Sequence, residues 1–234
     1  MREIVSRLRK CVEDYKMITK GDRIAVGVSG GKDSLVCLCA LAEISRYYAP
    51  FTIEAITLDM GFEGVDFSAV NNLCDRLGVR HTVIRTQLKQ IIFDIRKESN
   101  PCSLCAKMRR GALHDAALSL GCKKIALGHH QNDAAETLLM SLLYEGRIAC
   151  FSPVTYLDRK DITLIRPLIY ADERQIRRAA YTLPVIHNPC PANGNSKRSE
   201  TKALIASLEK DITGLNEKLV GAMQRLPLAG WGKE

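Results

Sequence analysis

No run of eighteen apolar residues occurs anywhere in this 234-residue chain, so no segment reads as a membrane-crossing helix. The opening Met1-Arg2-Glu3-Ile4-Val5 lacks the apolar stretch and small-residue cleavage site of a secretory signal, and a cytoplasmic protein without a membrane partner is expected. Aromatic residues make up only 6%, so a stacking platform for nucleic-acid bases is not evident. Neither the Gly-x-x-x-x-Gly-Lys-Ser/Thr loop of common NTPases nor the Gly-x-Gly-x-x-Gly turn of dinucleotide binders is present. There is no second Cys-x-x-Cys and no His-x-x-x-His to complete a zinc finger. Internal repeats and low-complexity linkers are also missing, which favours one domain with a short C-terminal extension. For a cytoplasmic chain, nine cysteines argue against a disulfide framework and for a metal site, a redox site or buried small apolar residues.

What is there begins with Ser29-Gly30-Gly31-Lys32-Asp33-Ser34, directly after the apolar run Ile24 to Val28. That run is short and β-branched, as a buried strand should be, while Leu35 to Tyr47 has helical spacing. Two glycines at a strand-to-helix turn let backbone N–H groups approach an anion, and Ser29 and Ser34 add hydroxyls where the helix dipole favours negative charge. An oligophosphate fits there. The six residues resemble the signature of the PP-loop ATP pyrophosphatases, which cleave between the α and β phosphates and adenylate an oxygen.

The same alternation continues along the chain. Strands are expected over Thr52–Leu58, Val79–Ile84 and Lys123–Leu127, and helices over Val65–Leu77, 103–120 and 133–144. This predicts an α/β fold with a doubly wound parallel sheet, ligands lying at the strand carboxyl ends. Ile4, Val5, Leu8, Val12, Tyr15 and Ile18 share one face of an N-terminal helix. A further helix starts at Asp172-Glu173, a Pro- and Asn-rich stretch covers 184–195, and two helical stretches follow to about 226. The expected division is a helix at 1–20, a nucleotide domain at 21–170 and a helical extension at 171–234.

Cys102-Ser103-Leu104-Cys105 opens the helix that carries Lys107, Arg109 and Arg110, where the dipole and nearby cations favour thiolates. The pair alone allows redox chemistry, half a zinc site or part of an iron–sulfur site. Cys190, in His187-Asn188-Pro189-Cys190-Pro191, is the one further polar-context cysteine; three thiolates on a four-iron cluster would leave one iron open. The net charge of +8 suggests an anionic partner larger than a nucleotide, with nucleic acid the natural candidate.

Together, the loop, Asp59, Pro101-Cys102-x-x-Cys105 with Arg109-Arg110-Gly111-Ala112-Leu113, the run Leu127-Gly128-His129-His130-Gln131-Asn132-Asp133-Ala134-Ala135-Glu136-Thr137-Leu138, Arg166-Pro167-Leu168 and Cys190 resemble the tRNA 2-thiocytidine synthetase family over roughly residues 20–200. The resemblance implies an ATP-dependent tRNA sulfurtransferase that adenylates O2 of an anticodon-loop cytidine and replaces it with sulfur. It implies ATP and Mg²⁺ at Ser29, Gly30, Gly31, Lys32, Asp33 and Ser34, with Asp59 near the nucleoside end and Gly128, His129 and Asp133 at the phosphates. Lys32, Asp33 and the three cysteines would be catalytic. By the same resemblance Asp33 would be the magnesium ligand, and Asp133 either a second one or a loop-positioning carboxylate. Cys102, Cys105 and Cys190 would hold a 4Fe–4S cluster whose open iron carries sulfur from a cysteine desulfurase or a sulfide source. Expected tRNA contacts are Arg109, Arg110, Lys123, Lys124, Arg177, Arg178, Lys197 and Arg198, and a homodimer is compatible with the pattern. Alternatives are a 2-thiouridine-type or lysidine-type enzyme with structural zinc, or a non-catalytic nucleotide- or RNA-binding module.

Overall fold

The computed structural model describes residues 1–96, 101–187, 189–190, 197–226 and 231. Of the Pro- and Asn-rich stretch, residues 188 and 191–195 lie outside this set.

Strand β1 (Arg23–Gly27) is flanked by β2 (Thr52–Asp59) on one side and β4 (Lys124–Ala126) on the other, both parallel to it. Beyond them lie β3 (Arg80–Arg85), parallel to β2, and β6 (Ile162–Ile165), parallel to β4, with β5 (Val154–Leu157) antiparallel on the outer edge. The order is β3-β2-β1-β4-β6-β5. The period-2 alternation of β1 explains why both faces are covered. Ile24 and Val26 enter the larger core with helix α2 (Lys32–Ile44), and Ala25 enters a second core with Ile56, Ile125, Leu164 and Ala116–Ala117 of α4 (Pro101–Ser119). Helix α2 is buried continuously from Ser34 to Ala42, which accounts for its apolar, weakly amphipathic sequence.

Helix α1 (Arg2–Asp14) lays Ile4, Val5, Leu8, Cys11 and Val12 against α2 and α6 (Glu173–Ala179). Two further helices, α7 (Lys197–Leu208) and α8 (Leu215–Arg225), pack on α5 (Gln131–Glu145). The remaining helix, α3 (Ser68–Leu77), starts three residues later than the sequence suggests, because the Asp66 carboxylate accepts hydrogen bonds from Ser68 N and Oγ and makes a turn first. Sequence reading missed the β5–β6 hairpin and a π-helical stretch at Gln90–Arg96. The strands of that hairpin are four residues each, and its turn closes through Asp158–Lys160 and a left-handed Asp161 rather than through Gly or Asn-Gly. Among the described residues no helix is long and apolar enough to cross a membrane.

At the opposite end of the sheet from the carboxyl ends of the strands, Glu54 is buried and bridged by Arg23 Nη2 and Arg80 Nε, each at 2.7 Å. Burial pushes this carboxyl up, but the hydrogen bonds from Arg80 and Arg23 outweigh it and hold the group below its ordinary value. Its stabilising contribution is therefore present above the ordinary carboxylate pKa and lost as pH falls through the lowered one. Because both arginines are half exposed and can rehydrate, Glu54→Gln should cost about 1 kcal/mol at pH 7. Urea titrations at pH 7 and at successively lower pH check this: the gap between variant and wild type should narrow as pH falls below the ordinary carboxylate pKa.

Candidate active site

From β1 the chain winds through β2 to β3, then crosses back to place β4 on the other side of β1. The crevice beyond the carboxyl ends of β1 and β4 is thus the topological switch point, where open α/β sheets bind ligands. The loops leaving these two strands are Val28–Gly31 and Leu127–His130. They meet so closely that a Cβ on Gly128 would lie 2.8 Å from the backbone C and O of Asp33. Gly30 adopts φ +79°, and a Cβ there would come within 2.9 Å of Ile186.

Within the first loop, Ser34 Oγ donates to Gly31 O at 2.8 Å and accepts from Ser29 N at 3.1 Å, while Gly31 N donates to Ser29 Oγ at 3.3 Å. Both hydroxyls therefore shape the loop. Lys32 and Asp33 form the first turn of α2, the Lys32 Nζ lying 2.7 Å from Asp33 Oδ1 and 3.4 Å from Glu173 Oε1. From the second loop, buried His130 brings its Nε2 to 3.5 Å from Asp33 Oδ1 and 3.6 Å from Asp133 Oδ2. Asp133 also accepts from His130 N at 3.0 Å, fixing the loop at the start of α5, and its other oxygen is 3.5 Å from Arg198 Nη1. Arg198 reaches Glu136 at 3.1 Å and donates to Thr137 Oγ1 at 3.1 Å. Asp59, at the end of β2, turns its carboxylate onto Gly61 N of its own loop at 2.9 Å.

His129 packs against Phe151, ring centroids 5.0 Å apart, and Arg166 stacks on the same phenyl ring at 4.9 Å. Burial pushes the His129 imidazole down to about 4, against the pull of Asp133 and with the help of Arg166 and Arg198, so the ring is neutral near pH 7. The unfolded chain then takes up a proton that the folded chain refuses, and stability should fall as pH drops from the ordinary 6.5 towards 4. Denaturation midpoints measured across that window should show a flatter slope in His129→Asn than in wild type.

The cysteine pair opens α4, which forms a rim of the same crevice, and Cys190 follows the segment that docks on the phosphate loop. Leu113 Cδ2 lies 3.1 Å from the Cβ position of Gly27, so α4 crosses β1 at its carboxyl end. Eight residues back towards the helix N-terminus is a climb of about 12 Å, which lifts Cys105 above the loop, with Cys102 one turn further out. Cys190 is four residues past Ile186, whose backbone N donates to Gly30 O at 2.9 Å. Burial raises the Cys105 thiol, Arg109 opposes it with its charge and a hydrogen bond, and Cys190 and Cys102 both add to the rise, so the three sulfurs lie within electrostatic range. Among the described residues, no three His, Cys, Asp or Glu side chains close around a point that a single metal ion could occupy. The other six cysteines are buried or half-buried, and none of the nine forms a disulfide.

Arg109 and Arg110 flank the cysteine rim, while Arg177 and Arg178 on α6 pair with Glu173 and Glu3. Lys197 pairs with Glu200 beside Tyr144, and Lys123 and Lys124 sit at the start of β4, the far end of the sheet, on Asp161 and Asp22. The structure thus gathers the loop, Asp133, the cysteines, Arg109, Arg110 and Arg198, and leaves Lys123 and Lys124 apart. Sequence reasoning gave His130, Arg166 and Glu173 no role at the site. The doubled histidine and the Arg-Pro-Leu run were the available signals for the first two; Glu173 looked only like a helix start.

A family model described as the PP-loop domain matches residues 1–193. The tRNA-cytidine(32) 2-sulfurtransferase of Pelobacter propionicus is 39% identical over 97% of this chain and 88% of its own. The chain belongs to this family of PP-loop proteins. The namesake from Geobacter sulfurreducens is 36% identical over 95% of this chain and 89% of its own. Among solved structures, the U34-tRNA thiolase NcsA from Methanococcus maripaludis, with its [4Fe-4S] cluster, superposes with a TM-score of 0.76 at 26% identity, covering 94% of this chain and 77% of that one. An NH3-dependent NAD synthetase from Campylobacter jejuni shares the fold alone, with a TM-score of 0.50 at 18% identity over 96% of this chain and 93% of its own. The doubly wound sheet expected from the sequence is thereby the fold of the PP-loop family, with the β5 edge added.

Proposed function

We propose that this chain is an ATP-dependent tRNA sulfurtransferase that adenylates O2 of an anticodon-loop cytidine and exchanges that oxygen for sulfur. The observation that carries the reading is the shared wall: the segment that seats Ile186 on Gly30 of the phosphate loop runs on to Cys190 at the cysteine rim. Activation and sulfur transfer then act on one base. In the loop, the N–H groups around Gly30 and Gly31 and the N-terminus of α2 face the phosphates, with Lys32 as a point charge. Attack of the base carbonyl oxygen on the α-phosphorus breaks its bond to the β-phosphate oxygen, and pyrophosphate leaves. The oxygen, now part of a phosphate ester, departs with AMP when sulfur takes its place at carbon. Asp33 would take Mg²⁺, and Asp133 would serve as a second ligand or position the loop; their carboxylates lie 3.5 and 3.6 Å from His130 Nε2.

The donor chemistry fits an iron–sulfur cluster. Cys102 is exposed, Cys105 and Cys190 are half-buried and none of the three is in a disulfide, so three thiolates are available to a multi-iron cluster. Cys102, Cys105 and Cys190 would hold it, and when bound it supplies an open iron at which sulfur can be held. Arg109 beside Cys105 keeps positive charge at the rim, where a tRNA phosphate would approach.

Reconstituted protein incubated with tRNA, ATP, Mg²⁺ and sulfide, followed by nucleoside mass analysis, tests the reading. 2-Thiocytidine is expected; 2-thiouridine, lysidine or no new nucleoside rejects it. Affinity for tRNA should fall steeply with salt, and Arg109→Ala with Arg110→Ala should lower the slope of log K against log salt by about one to two phosphate contacts' worth.

A further inference from the structure

Glu173 is a buried carboxylate surrounded by cations from three helices. Lys32 Nζ of α2 approaches to 3.4 Å, Arg177 Nη2 of α6 to 3.0 Å and Lys202 Nζ of α7 to 2.8 Å. Its backbone N donates to Asn132 Oδ1 at 2.9 Å, so Asn132, the second residue of α5, holds the start of α6. Asp172, just before it, caps α6 by accepting from Arg174 N and Gln175 N. The first turns of α2, α5 and α6 and the second turn of α7 therefore meet at one carboxylate. Burial pushes Glu173 up, yet Lys202, Arg177 and Lys32 together bring it down to about 2, so its charge is permanent at any working pH.

Lys32 stands between two carboxylates, Asp33 at 2.7 Å on its own helix and Glu173 at 3.4 Å across the crevice. Asp33 alone would draw the ammonium down onto the first turn of α2. Resting on the proposed ATP-dependent activity for its purpose, we infer that Glu173 is a positioning residue that holds Lys32 over the phosphate loop against the pull of Asp33. Lys202 and Arg177 hold Glu173 in turn, which links the loop to α7 and α6. Once phosphate takes the Lys32 charge, Asp33 is released from its partner and becomes free to bind a cation.

The two simplest accounts of Glu173 predict opposite signs. Were it only a nearby negative charge, Glu173→Gln would tighten ATP binding by removing repulsion from the phosphates. As a positioning residue, it should instead weaken binding about tenfold, the scale of one charge-assisted contact. Calorimetric titration of ATP with Mg²⁺, without tRNA and without iron, reads this directly, so the outcome is independent of whether the chain thiolates RNA. A double-mutant cycle with Lys32→Gln separates positioning from loss of fold. Glu173→Gln should cost nothing further in the Lys32→Gln background, and Glu173→Asp, which keeps the charge, should recover most of the affinity. Unchanged or tighter binding by Glu173→Gln, or an equal loss in both backgrounds, would overturn the assignment.

Discussion

Gly128→Ala should abolish ATP binding while leaving a folded chain. The methyl group would sit 2.8 Å from the carbonyl carbon and oxygen of Asp33, and neither atom is the far end of a flexible side chain. Both belong to the first turn of α2, whose remaining length is packed into the core from Leu35 onwards, so the helix cannot back away. The β4 loop must yield instead, and it carries His130 out of reach of Asp33 and Asp133. Overpacking of this kind costs about 1–3 kcal/mol in stability. Displacement of reacting groups by an ångström costs about a hundredfold in rate. Gly111 is the internal control: it lies inside α4 with nothing within 4 Å of its Cβ position. Gly111→Ala should stabilise the fold by about 0.5–1 kcal/mol through helix propensity alone. Thermal unfolding with and without ATP would compare them; a Gly128→Ala protein that ATP stabilises as it does wild type contradicts the close approach of the two loops.

That contact shows why parts of the site were readable from sequence and others were not. A phosphate loop is local: strand, glycines and helix start are consecutive, so Ser29 to Ser34 announce their geometry in order. The parallel, doubly wound character of the sheet is equally legible, because the strands alternate with helices along the chain. Contacts between distant segments leave weaker traces. Gly128 is an ordinary glycine until the neighbouring loop is placed against it. Glu173 resembles any acidic residue in a first helical turn, and only the fold reveals that Lys32 and Lys202, 141 and 29 positions away, point at it. Arg198 reads as a surface cation, whereas it reaches into Asp133, Glu136 and Thr137 of α5. The β5–β6 hairpin escaped for a different reason: strands of four residues bounded by an Asp-Arg-Lys-Asp turn lack both the length and the turn chemistry that mark hairpins.

Cys105→Ala should eliminate thiolated nucleoside and most bound iron, yet leave ATP binding within about twofold of wild type. Separation of the two effects follows from the path of α4. Cys105 stands about 12 Å of helix away from Leu113, the residue that packs at Gly27, so truncating its thiol disturbs neither the loop nor the sheet. Local energetics agree: the side chain is only partly buried, it is not part of either hydrophobic core, and Arg109, Cys190 and Cys102 act on it electrostatically. Anaerobic reconstitution of wild type should give about four irons per chain, and the variant less than one. Cys150→Ala supplies the contrast. Burial pushes that thiol up to about 12, and it donates to Ala134 O inside the fold, so it is unsuited to ligate metal as a thiolate. Its loss should lower stability and leave iron content alone. Full iron loading or thiolation by Cys105→Ala would remove this cysteine from the site, and one tightly held zinc in place of iron would remove the cluster. Equal loss of iron from Cys102→Ala and Cys190→Ala would establish that the helix α4 rim and the segment seated on Gly30 supply one shared site.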